Sequence, residues 1–139
     1  MALLPSVISP ASKDVQVKQF AVTRSMTTGT DRAFNMPKGS RILGFLLVGA
    51  ASNAGTTATL SIGTTSGTPV EYVSAVNVLA AGVGNGVQLL NGVAGVLQAN
   101  LTADTPVYVK YAETGAASNA GGWQLYVFFT QGGILAGQW

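Results

Sequence analysis

The sequence predicts an all-β protein: an eight-stranded, two-sheet sandwich of jelly-roll topology with extended N- and C-terminal arms. Three observations carry that expectation. Apolar and polar residues alternate in one stretch after another, as in Ala58-Thr-Leu-Ser-Ile62 and Val107-Tyr-Val-Lys-Tyr111, and a period of two marks half-buried strands. Turn signals separate the stretches, as at Met36-Pro-Lys-Gly-Ser40, Gly67-Thr-Pro69, Gly82-Val-Gly-Asn-Gly86 and Gly132-Gly133. No eleven-residue window shows a capped helical stripe. Short strands without helices pack as a sandwich or barrel. An immunoglobulin-like sandwich is the competing arrangement; it uses seven strands and a different aromatic pattern.

The elements follow in order. An arm over 1–12 precedes a β-domain over 13–131, and 132–139 form a tail. The first strand is expected over 15–23, with a bulge at Gln19, because Val15 and Val17 face one way and Phe20 and Val22 the other. A short extra strand is placed at 32–36. The stretch 41–49 is apolar without a break from Ile42 to Val48, so a central strand covered on both faces is expected. Further strands are expected over 57–63, 70–79, 86–90, 93–98, 105–112 and 123–130. Asn91-Gly92 is a type I′ hairpin signal between two of them. In 70–79, Val70, Tyr72, Val76 and Val78 share a face; in 123–130, Trp123, Leu125, Val127 and Phe129 share one, with Tyr126 and Phe128 opposite.

Composition removes several classes of chemistry. The chain has 139 residues, no His and no Cys, so a His-based triad, a thiolate nucleophile and a disulfide framework are excluded, as is a His/Cys zinc site. Charged residues make up 9%, far below the usual quarter or so. Ala, Gly, Ser and Thr supply 61 of the 139 residues, so the surface must be built largely from small, uncharged side chains. Seven cations against five anions leave a net charge of +2 with no basic stripe, which argues against nucleic-acid binding. The longest apolar run, Ile42 to Ala51, is 10 residues, against about 20 for a membrane-spanning helix. The N-terminus lacks a basic region and carries Pro5 and Pro10, so no signal peptide is expected and synthesis in a cytoplasm is.

No candidate for catalysis emerges. Asp14, Asp31, Glu71, Asp104 and Glu113 show no i, i+2 pairing that would put two carboxylates on one strand face. Glu71 and Lys110 alternate with core residues and are expected in solvent; Asp14 and Asp104 sit where turn residues sit. A single carboxylate near Asp104 does not make a calcium loop. The sequence therefore predicts no catalytic residue, no metal site, no cofactor and no enzyme.

What remains is surface. The heptapeptide Gly49-Ala-Ala-Ser-Asn-Ala-Gly55 recurs residue for residue as Gly115-Ala-Ala-Ser-Asn-Ala-Gly121. Each copy joins two strands and each would bridge the two sheets. With 41–49 beside 105–112 and 57–63 beside 123–130, the loops would lie side by side at one rim, with Ser52, Asn53, Ser118 and Asn119 at their centres. Recurrence by chance in an Ala/Gly-rich chain, or a shared turn geometry, is the plain alternative. Leu3, Leu4, Val7 and Ile8 in the arm, and Ile134, Leu135 and Trp139 in the tail, are apolar where termini are usually polar. They dock either on the domain itself or on a neighbour. Tyr126 and Phe128 stay exposed unless a loop, an arm or a partner covers them.

The stretch Phe34-Asn-Met-Pro-Lys-Gly-Ser-Arg-Ile-Leu-Gly-Phe45 is similar to the start of the second strand in small bacteriophage head proteins, and Thr105-Pro-Val-Tyr-Val-Lys-Tyr111 before an aromatic last strand is similar to their late strands. In size and strand number the whole chain resembles the jelly-roll cementing, or decoration, proteins on the heads of tailed phages, particularly short-tailed ones. That resemblance implies a virion structural protein on the outer capsid surface. It would bind the major capsid protein and cement the head, as a homodimer or homotrimer, with no nucleic-acid or membrane partner. The contacts would come from Leu3, Leu4, Val7, Ile8, Tyr126, Phe128, Ile134, Leu135 and Trp139. The alternative is a receptor- or carbohydrate-binding head of a tail fibre, to which Tyr72, Tyr108, Tyr111 and Asn77 could contribute.

Overall fold

The computed structural model describes residues 15–50, 52, 54–79, 86–90, 100–118 and 121–131, with 50 and 86–90 as backbone only. Its elements are β1 (Gln16–Thr23), β2 (Asp31–Met36), β3 (Arg41–Ala50), β4 (Thr57–Gly63), β5 (Val73–Asn77), β6 (Gly86–Leu90), β7 (Thr105–Thr114) and β8 (Gly122–Thr130). They form two antiparallel sheets, in the orders β1-β8-β3-β6 and β2-β7-β4-β5. The all-β sandwich expected from the alternation is what the chain builds. The core lies between the sheets, where the inward residues of both meet. Phe45, Leu60, Ile62, Val107, Val109, Tyr111, Leu125 and Val127 are 0% exposed. Ring pairs lock the layers: Phe45 lies 5.6 Å from Tyr72, and Phe20 meets Phe34 edge-on at 6.2 Å.

Several elements depart from expectation, each for a local reason. The stretch at 32–36 is a full strand, Asp31–Met36, with a register shift between Arg32 and Phe34. The expected strand 93–98 and the Asn91-Gly92 turn lie outside the described residues. The strand placed at 70–79 shrinks to Val73–Asn77. Val70 is 46% exposed, and Ala75 takes a positive φ of 52° beside the register shift between Leu60 and Ile62. No bulge interrupts β1, which pairs with β8 without a shift from Gln16↔Phe129 to Thr23↔Gly122. The strand alternates without a break and carries apolar residues on both faces: Phe20 and Val22 face the core, while Val15 and Val17 are 56% and 51% exposed on the far side. Nor is β3 covered on both faces. Ile42, Phe45 and Leu47 are buried, but Leu43 stands 47% exposed at a register shift between Ile42 and Gly44.

The partners expected of the repeat-bearing strands are exchanged. Strand 41–50 pairs with 122–130, and 57–63 pairs with 105–114. Counting β2 as a full strand moves the strands from 41–50 to 86–90 up by one while 105–114 and 122–130 stay seventh and eighth, and that exchange follows.

Glu71 does not point into solvent. Its Oε2 accepts from the backbone N–H groups of Thr64 (2.7 Å), Val70 (3.1 Å) and Thr65 (3.3 Å), and Oε1 accepts from the Thr65 hydroxyl. The carboxylate thus fastens both ends of the β4–β5 turn. Burial pushes its pKa up, but these hydrogen bonds outweigh burial and leave it below the ordinary value of 4.5. A depressed carboxylate pKa adds stability above the unfolded value, and that stability is lost as pH falls through the folded one. Glu71→Gln should therefore lower stability by about 1 kcal/mol at neutral pH. In thermal melts across pH, the gap to wild type should narrow as pH falls below the ordinary value of 4.5 and through the lower folded-state one; a gap that does not narrow on acidification would contradict this role. Lys110 also differs from expectation: it is half-buried, and its Nζ donates to Gly67 O at 3.2 Å. Asp104 behaves as a turn residue, accepting from Lys38 N at 2.8 Å.

Candidate functional site

Two regions concentrate the residues singled out in the sequence: the rim where the repeated loops sit, and the outer face of the β1-β8-β3-β6 sheet.

At the rim the two heptapeptides lie against each other. The N–H of Gly55 donates to Ala116 O at 2.8 Å, and that of Thr56 to Thr114 O at 2.9 Å. Small residues are needed at this seam. A Cβ on Gly55 would strike Ala116 N, and one on Gly115, at φ +83°, would meet Thr56 N at 2.8 Å. Ser52 and Ser118 are buried beneath the loops, 0% and 5% exposed. Asn53 and Asn119 lie outside the described residues.

A polar chain runs under this seam. The Tyr111 hydroxyl donates to Glu113 Oε2 at 2.7 Å, which leaves its oxygen to accept from Ser52 Oγ at 2.8 Å. Ser52 Oγ in turn accepts from Ala54 N at 3.2 Å, and Glu113 Oε2 accepts from Ser118 N at 3.3 Å. Arg24 donates to Ser118 O from the first sheet. Burial, with the Glu113 carboxylate beside it, pushes the Tyr111 pKa above 10.0, so the group is a neutral donor at physiological pH. Trp123 stacks on Tyr111 at 5.6 Å, and its buried Nε1 has no hydrogen-bond partner among the described residues. Sequence spacing could not reveal this chain, whose members come from three separate parts of the sequence. A cleft of about 340 Å³ against Thr23, Arg24, Ser25 and Gly121 opens beside it. The arrangement has the chemistry of a structural bolt: hydroxyls and one carboxylate satisfying each other, with no nucleophile–base pair aimed at a cavity.

On the sheet face, Tyr126 and Phe128 are half-buried and point away from the core, opposite the buried Trp123, Leu125, Val127 and Phe129. Leu3, Leu4, Val7, Ile8, Ile134, Leu135 and Trp139 lie outside the described residues. The residues considered for sugar binding do not converge. Tyr72 and Tyr111 are 2% and 0% exposed and belong to the core, so neither offers a ring to a ligand. Among the described residues no three His, Cys, Asp or Glu side chains gather as a metal site, and no helix is long and apolar enough to cross a membrane.

This architecture is found in solved phage capsids. A chain of the cyanophage Pam1 capsid asymmetric unit matches with a TM-score of 0.62 at 26% identity, over 84% of this chain and 83% of that chain. A chain of the acidic stable capsid of Helicobacter pylori bacteriophage KHP30 matches with a TM-score of 0.62 at 14% identity, over 85% and 88%. A chain of the Ralstonia phage GP4 capsid matches with a TM-score of 0.60 at 22% identity, over 95% and 91%. At 14% and 22% identity the last two speak to the fold alone. No family model matches the chain, and no curated protein does. The Pam1 likeness, on a fold that all three share, supports a phage head protein, a structural component of the virion.

Proposed function

We propose that the protein is a cementing protein: a non-catalytic component that binds the outer surface of the major capsid protein lattice and stabilises the phage head. The observation that carries this reading is the likeness to a chain of the Pam1 capsid over 84% of this chain, joined to an outer sheet face that leaves Val15, Val17 and Leu43 about half exposed. A surface poor in charge and rich in apolar area suits a protein whose working state is buried in a lattice. The sheet orders β1-β8-β3-β6 and β2-β7-β4-β5 support the finer description of the fold as an eight-stranded jelly roll. The mechanism would be clamping, in which each copy bridges neighbouring shell subunits and adds buried area against internal pressure. A homodimer or homotrimer fits that role.

The test is co-sedimentation of the full chain with heads assembled without it. Saturable binding, together with heads that resist a higher temperature, is the expected result. Binding to a glycan array in place of heads would favour the tail-fibre reading instead.

A further inference from the structure

We propose that the sandwich is two-sided in function: the outer face of the β1-β8-β3-β6 sheet docks on an uncharged, apolar surface of the phage shell, and the other sheet faces solvent. This rests on the cementing reading above and adds which side of the molecule meets the shell.

The two outer faces are built from different side chains. On the first sheet, Val17 of β1 pairs with Phe128 of β8, and Tyr126 of β8 pairs with Leu46 of β3. Leu43 and Val48 of β3 extend the same surface. Apolar side chains therefore run across three adjacent strands, about 10 Å between the outer two, with the uncharged Gln19 and Gln124 exposed among them. Val17 and Leu43 remain 51% and 47% exposed. The charged residue that borders this face, Arg41, stands at the corner where β3 begins and is tied to Asn100 Oδ1 at 3.0 Å. On the second sheet, outward positions carry Arg32, Lys110, Thr57, Thr59 and Thr114. Arg32 lies over the Tyr108 ring at 5.8 Å, and Thr57 and Thr114 exchange a hydroxyl hydrogen bond at 2.7 Å. Such a surface satisfies itself in water. Contiguous exposed apolar surface on one side alone is the mark of an interface.

The described chain begins and ends at one end of this same sheet. The chain enters at Val15 and leaves at Gln131, and Gln16 Nε2 donates to Gln131 Oε1 at 3.4 Å. The segments 1–14 and 132–139, which hold Leu3, Leu4, Val7, Ile8, Ile134, Leu135 and Trp139, thus both join the fold at one end of this sheet. The absence of charge on the face selects a partner surface without charge, because a buried unpaired charge on either side would be strongly unfavourable.

The test compares Val17→Lys and Leu43→Lys with Ala112→Lys, an exposed position on the other sheet. All three side chains have room for a solvated ammonium in the free protein, and unchanged melting temperatures verify the fold. The expected result is head binding at least tenfold weaker for Val17→Lys and Leu43→Lys, with Ala112→Lys equal to wild type. Wild-type binding by both sheet-face variants would overturn this inference and leave attachment standing. So would loss of binding by Ala112→Lys alone, which would assign docking to the other sheet. If Val17→Lys dissolves a homo-oligomer in sedimentation velocity and binds heads normally, the face belongs to a second copy and the inference fails. A wild-type chain that ignores heads altogether overturns the cementing reading and the inference with it.

Discussion

Trp123→Ala is expected to cost about 3–5 kcal/mol, whereas Trp123→Phe costs less than about 1.5 kcal/mol. The two outcomes separate what the side chain contributes by volume from what its N–H contributes. The ring is 3% exposed, stacks on Tyr111 and sits under the seam of the paired loops. Removing it leaves a large cavity at the point where both sheets and both loops converge, and close-packed interiors relax only partly into such a space. Its Nε1, by contrast, is buried and has no partner among the described residues. An unsatisfied buried donor carries a penalty of about 1–3 kcal/mol, and phenylalanine relieves it while filling most of the same volume. Urea unfolding of both variants measures the difference directly. Equal destabilisation by the two substitutions would show that the indole N–H has a partner of real worth.

Deleting residues 1–10 is expected to leave the melting temperature within about 2 °C of wild type and to weaken attachment to heads at least tenfold, in line with the usual minor contribution of terminal segments to domain stability. The ladder between β1 and β8 begins at Gln16, so the truncation removes none of the pairing among the described residues. What it removes is Leu3, Leu4, Val7 and Ile8, an apolar set that precedes the exposed Val15 and Val17 in sequence. Full retention of the truncated chain on heads would rule out the arm as a contact. A large fall in melting temperature would instead show that the arm packs on its own domain.

The inward-facing residues were legible in the sequence because burial follows a period of two wherever a strand is regular. Trp123, Leu125, Val127 and Phe129 are all core, as their alternation implies, and so are Val107, Val109 and Tyr111. That same alternation was signal enough to remove Tyr111 from a list of sugar-binding candidates. Strand neighbours were less legible. They depend on the count of strands, and β2, written Asp-Arg-Ala-Phe-Asn-Met, alternates too weakly to be weighted as a full member. Placing it as a short extra strand outside the eight exchanged the partners of four strands, yet left the repeated loops together, since each loop still crosses from one sheet to the other. The Glu71 turn was not legible at all. A carboxylate that reaches back to amides up to seven residues earlier obeys the geometry of the turn, and no periodicity records that. The polar chain through Ser52, Tyr111 and Glu113 has the same character, since Ser52 and Tyr111 lie 59 residues apart in sequence.

The pairing pattern has a consequence for how the chain is made. Strand β1 finds its ladder partner in β8, β2 in β7, and β3 in β6 and β8. Most of the first half of the protein therefore has nothing to pair with until the last strands have left the ribosome. Folding must wait for the end of translation, and it must close long loops before contacts between remote segments repay their entropy. During that interval β3 is an apolar strand with Arg41 as its one charge and with open edges, the kind of segment that aggregates when many copies are synthesised together. High expression should thus be limited by what happens to the nascent chain more than by the stability of the finished sandwich.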